Sequence, residues 1–285
     1  MPDVWSRRNL LKLASLAWRG ELLGFVPLMR GLELAQKDDP SSPDSVTDQF
    51  PMQSPELTRE MVTVSHFDLA RVKELVQARP SLARASWDWG FGDWESALGA
   101  ASHMGNRAIA EYLISKGARP SLFSAAMLGQ VDVVRAFVAA SPHAERIRGP
   151  HGISLLAHAR AGGEAARPVF EFLQSLGDSD ADLPVPISDS EIAALAGTYV
   201  FGIGTSQQID LIAERRESVP SIYSSLTWTR KGMMGRPLVY LGDRSFYPAG
   251  VPSVRIRFEE KGASVVMTIY DPDVVLVARR KQEPK

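Results

Sequence analysis

The chain has 285 residues, of which 45% are hydrophobic and 23% charged, and its net charge is −1. That length has room for two modest domains, and the near-neutral balance excludes a general electrostatic pull toward nucleic acid or anionic membrane. The chain has no cysteine, which excludes disulfide frameworks, thiol catalysis and cysteine-based zinc sites.

At the N-terminus, "SRRNLLKLA" sets the adjacent pair Arg7 and Arg8 ahead of an apolar run. Ser6, Arg7, Arg8, Leu10, Leu11 and Lys12 resemble the twin-arginine export signal. The resemblance implies a receptor-read address and export of an already folded protein to the periplasm or beyond. Arg19 and Glu21 interrupt the apolar region, and a cytoplasmic amphipathic helix is the alternative reading. No apolar run approaches the roughly 18 residues of a spanning helix, so no integral membrane span is expected. Stretches rich in Ser, Asp and Pro read as linkers at 37–54 and 179–189. They separate an N-terminal segment (1–36), a helical segment (55–178) and a strand-rich segment (190–281).

In the helical segment, Leu98, Leu122 and Leu156 are spaced by 24 and then 34 residues, as are Gly105, Gly129 and Gly163. Each leucine opens a short Ala-rich helix, and each glycine closes it with a left-handed residue. A second helix then carries one apolar stripe. Examples are Leu69, Val72, Leu75 and Val76, then Val131, Val134, Phe137 and Val138, and more weakly Ala110, Leu113 and Ile114. The segments "SALGAA" (96–101), "LISKGA" (113–118) and "GISLL" (152–156) resemble the ankyrin repeat. The resemblance implies an α-solenoid of about four repeats, the outer two degenerate. On this reading the fold class is multidomain α + β, an ankyrin solenoid followed by an antiparallel β-barrel-like domain.

The segment "SWDWGFGDWE" (86–95) holds three of the six tryptophans. Its two WD pairs sit in one loop between helices, which excludes a propeller, where they recur every 40-odd residues. It reads as an inter-repeat finger with two open roles. Trp87, Asp88, Trp89, Phe91 and Trp94, joined by His103, suit a protein contact surface. Equally, the rings can fold back and seal the helix stack. His66 and His103 occupy nearly equivalent repeat positions and, with Asp88, offer a polar groove. A metal needs at least a third placed ligand and none is evident, so neither metal nor cofactor is expected. His158 reads as a core histidine.

Beyond Gly197 the helical spacing gives way to about seven β-rich runs separated by Gly, Pro or Asp. Val254, Ile256 and Phe258 alternate with Arg255, Arg257 and Glu259, as in a strand with one wet face. An antiparallel meander, curled or closed, is predicted. "LAGTY" and the element Gly242, Asp243, Phe246, Pro248 and Gly250 resemble small lipocalin-like β-barrels appended to exported β-lactamase-related proteins. The resemblance implies a barrel but no nucleophile. No P-loop, dinucleotide fingerprint, nucleophile elbow or zinc-protease motif occurs. The expected function is a non-catalytic scaffold for a protein partner. The alternative is a carrier holding a small apolar ligand in the barrel, with the helices as a docking arm.

Overall fold

The computed structural model describes residues 51–177, 185–213, 224–233, 235–262 and 264–282. The export motif with Arg7 and Arg8, and nearly all of the first linker, lie outside the described residues. Among the described residues, no helix is long and apolar enough to cross a membrane.

Among the described residues, four helix pairs come first: α1 (Pro55–Val64) with α2 (Leu69–Ala78), and α3 (Ala97–His103) with α4 (Arg107–Ser115). They are followed by α5 (Leu122–Met127) with α6 (Val131–Ala140), and α7 (Leu155–Ala161) with α8 (Arg167–Ser175). Local chemistry starts most of them. The side chains of Ser54, Asp68, Ser96, Ser121 and Ser154 each accept the backbone N–H three residues on, which satisfies an otherwise unpaired helix donor. The predicted stripes turn inward in α2 and α4, where Val72, Leu75, Val76, Ala110 and Leu113 are buried. The stripe of α6 is thinner, with Val134 buried but Phe137 exposed.

The helices do not stack as the expected ankyrin solenoid. In a solenoid each repeat touches only its neighbours, whereas α3 packs against α1, α5 and also α7, two pairs further on. Gly105, just after α3, lies so close to α7 that a Cβ there would come within 2.1 Å of the Ala161 carbonyl oxygen. Gly162, at the end of α7, is pressed in the same way onto the Met127 carbonyl of α5. These glycines therefore stop helices and also let three helix ends converge, which a linear row of repeats would keep apart. The helical apolar core divides accordingly. Leu98 belongs to a cluster with α1 and α2, whereas Leu156 belongs to one with α6 and α8. The fold is a mixed α/β assembly in which an irregular helical body accompanies a barrel.

The barrel is closed, with eight antiparallel strands each paired to its neighbour in sequence and the last, Val274–Arg280, closing on the first, Gly197–Phe201. Its strands are β3 (Gly197–Phe201), β4 (Gln207–Ala213), β5 (Leu226–Thr229), β6 (Arg236–Gly242), β7 (Ser245–Pro248), β8 (Arg255–Lys261), β9 (Ser264–Asp271) and β10 (Val274–Arg280). The strand beyond the expected seven is β7. It is split from β6 by a tight turn at Asp243 and Arg244, both with positive φ, the backbone that matches strand twist in a hairpin. Alternation places Ile256 and Phe258 inside with Tyr199, Leu226, Phe246 and Met267. A short helix α9 (Asp189–Leu195) adds Ile192 and Leu195 to this core.

Candidate metal centre

The segment "SWDWGFGDWE" folds as a β-hairpin of β1 (Ser86–Asp88) and β2 (Trp94–Ser96), with Trp87 opposite Glu95. Its loop needs left-handed backbone at Gly90, Phe91 and Gly92, which two glycines supply without strain. The Asp88 carboxylate accepts the Gly90 N–H at 2.8 Å and braces the turn. Successive side chains of β2 point to opposite faces. Trp94 is 63% exposed, while Glu95 is fully buried.

The six residues proposed as a partner surface do not share one exposed face. Trp87 packs on the first helical cluster and Trp89 is buried in it. Phe91 meets the ring of Trp228 in the barrel at 5.1 Å between centroids. Asp88 is half-buried, and only Trp94 is exposed. His103 turns inward to Glu95. The hairpin thus bridges the helical body and the barrel.

Glu95 is the hub. Its Oε1 lies 2.8 Å from His103 Nε2, and its Oε2 accepts the Trp89 indole N–H at 2.8 Å. The same Oε2 is 3.5 Å from His66 Nε2 and 3.4 Å from His151 Nε2. One ligand atom from each of His66, Glu95, His103 and His151 lies within 4.8 Å of the other three. A tetrahedral zinc ion with bonds of about 2.0–2.1 Å spaces its ligand atoms by about 3.3 Å. The imidazole nitrogens lie 2.8, 3.4 and 3.5 Å from one or other Glu95 oxygen, close to that value.

The far side of each ring shows how it is held. His66 Nδ1 faces the carbonyl oxygens of Val62 and Thr63 at 3.1 and 3.0 Å. Both are acceptors, so Nδ1 carries the proton and Nε2 is left with its unshared pair. His151 sits in a short turn with φ 59, a costly backbone for a residue with a Cβ. Asp93 grips it twice. One carboxylate oxygen accepts the His151 backbone N–H at 3.0 Å, and the other meets its Nδ1 at 2.8 Å. Carboxylate–histidine pairs and histidine–carbonyl bonds of this kind orient metal-binding imidazoles. Asp93 in turn receives Arg236 Nη1 from β6 at 2.5 Å.

Burial makes this network electrostatically tense. It pushes His66 down to about 4 despite the pull of Glu95, so at neutral pH the His66–Glu95 approach is not an ion pair. For His151, burial is outweighed by hydrogen bonds to Asp93 and Glu95, and its pKa rises to about 9. Burial would raise Glu95, but hydrogen bonds from His103 and His151 hold it well below the ordinary carboxylate range. His158, expected as a core histidine, is fully buried beside the cluster. Its Nδ1 lies 2.8 Å from the Ser154 carbonyl oxygen, and burial lowers its pKa to about 4.

The sequence sets His66, His103 and Asp88 in one polar groove with no further ligand evident; in the structure Asp88 braces the hairpin turn, and Glu95 and His151, held by Asp93 and Arg236, complete the cluster. The strand alternation that buries Glu95 was a usable signal once the hairpin was known. No local pattern points to His151. Compared with protein-family models, with curated proteins and with solved structures, the chain matches none.

Proposed function

We propose that this chain is a metal-binding protein that takes one divalent transition ion, preferably Zn²⁺, through His66, Glu95, His103 and His151. The observation that carries this reading is the facing of His66 Nε2, without a proton, toward a Glu95 carboxylate oxygen at 3.5 Å. It adds an unshared pair to a buried carboxylate whose other neighbours are donors, and one atom from each of the four side chains lies within 4.8 Å of the others, as a shared cation requires. Three imidazoles and one carboxylate, with no thiolate, suit zinc better than soft-metal chemistry.

Four protein ligands complete a tetrahedral shell. Catalytic zinc sites characteristically keep one position for water, and this supports a structural or sensing ion in a non-catalytic protein. An eight-stranded barrel is also compatible with carriage of a small apolar ligand. Tyr199, Phe246 and Phe258 already fill its centre, so the metal reading is preferred.

Titration of the chelator-stripped full chain with Zn²⁺ by calorimetry should give one ion per chain. At neutral pH it should release at least one proton, because the metal takes the place of the Nε2–H that His151 directs at Glu95. His66→Ala and Glu95→Gln should each weaken binding by about 100-fold or more. Wild-type protein that stays metal-free at micromolar zinc, or binding indifferent to both substitutions, would refute the assignment.

A further inference from the structure

We propose that Arg236, a barrel residue outside the ligand set, is a positioning residue for the metal site, so that metal occupancy and seating of the barrel on the helical body are reciprocally coupled. This rests on the metal reading above.

The four ligands are not held equally. Glu95 lies in the β1–β2 ladder, His103 is the last residue of α3, and His66 is tied to the end of α1 by two carbonyl contacts. His151 is in no regular ladder or α-helix, and its backbone is left-handed. Its position depends on the double grip of Asp93. Asp93 is itself a loop residue, almost completely buried, and besides His151 its cationic partner is the Arg236 guanidinium. Arg236 is 2% exposed and anchors within the barrel by donating to the Ala249 carbonyl oxygen at 3.0 Å.

A second contact presses the same ligand loop onto the barrel. Gly152, beside His151, lies against Gly250. A Cβ on either one would come within 2.9 Å of the other's backbone nitrogen. The chain Arg236–Asp93–His151 therefore runs from barrel to metal ligand in two charge-assisted steps. Lifting the barrel away would strip Asp93 of its guanidinium and free the His151 loop. An ion that fixes His151 holds Asp93 where Arg236 can reach it. Linkage makes the two effects equal in size.

The test uses the full chain. Arg236→Met should weaken Zn²⁺ affinity by about 10–100-fold, the range for lost outer-shell partners. It should also shift the visible bands of bound Co²⁺, which report coordination geometry, whereas Arg236→Lys should recover part of both. In the wild type, chelation should speed amide exchange in β6 and at 249–251. If wild-type protein binds zinc but Arg236→Met leaves affinity and Co²⁺ spectrum unchanged, the coupling is wrong and the metal reading stands. If Arg236→Met does not fold, wild-type exchange decides: unchanged protection of β6 on chelation overturns the coupling. If wild-type protein binds no zinc, the metal reading itself has failed.

Discussion

Two tryptophans of one hairpin divide its work. Trp89 is buried and donates its indole N–H to Glu95, whereas Trp94, on the opposite face of β2, is mostly exposed. Trp89→Phe keeps most of the ring volume but removes one of the donors to a buried carboxylate. It should cost about 1–3 kcal/mol in urea unfolding. Trp94→Ser should stay within about 0.5 kcal/mol. Equal losses would mean that the outer face of the hairpin is packed after all. The composition of "SWDWGFGDWE" announced an aromatic loop, but not which ring faced inward. That depended on the 86–96 pairing that sets the register of β2, and a one-residue slip would have exchanged Trp94 with Glu95.

At the level of elements, glycine explains why the helices depart from a regular stack. Gly105 and Gly117 both follow helices with positive φ, and from sequence they look alike as helix stops. Their surroundings differ. A Cβ at Gly105 would meet the Ala161 carbonyl oxygen at 2.1 Å, whereas at Gly117 nothing lies within 4 Å. Gly117→Ala should therefore cost only the left-handed penalty of about 1 kcal/mol. Gly105→Ala adds a backbone clash and should cost about 3 kcal/mol or more. Thermal or urea unfolding of the pair measures the difference, and equal costs would contradict the close approach of α3 to α7. The spacings of 24 and 34 residues recorded where helices begin and end. They did not record that three of the helices converge on one another.

For the molecule as a whole, the buried histidines impose opposing pH dependences on the metal-free state. His66 and His158 have folded pKa values lowered to about 4. As the pH falls from about 6.5 toward 4, the unfolded chain gains protons that the folded chain refuses, and stability is lost by up to about 3 kcal/mol per histidine. His151 is raised to about 9. Its stabilisation is complete below about 6.5 and disappears as the pH climbs through 9. Urea midpoints measured in chelator from pH 4.5 to 9.5 should therefore peak near pH 6–7. Stability rising steadily to pH 9 would show that Asp93 and Glu95 do not hold His151 charged.

Short-range chemistry was readable from the chain alone. Gly105 and Gly129 follow helices with left-handed backbone, the stripe of Val72, Leu75 and Val76 turns inward, and the alternation around Ile256 and Phe258 marks an inward strand face. Such signals act within one turn or one pleat, so the sequence carries them locally. Closure of the barrel, the convergence of α3, α5 and α7, and the meeting of His66, Glu95, His103 and His151 were decided by tertiary packing. No period relates positions 66, 93, 95, 103, 151 and 236. They come together because a hairpin from the helical half is clamped between a buried helix end and a barrel arginine.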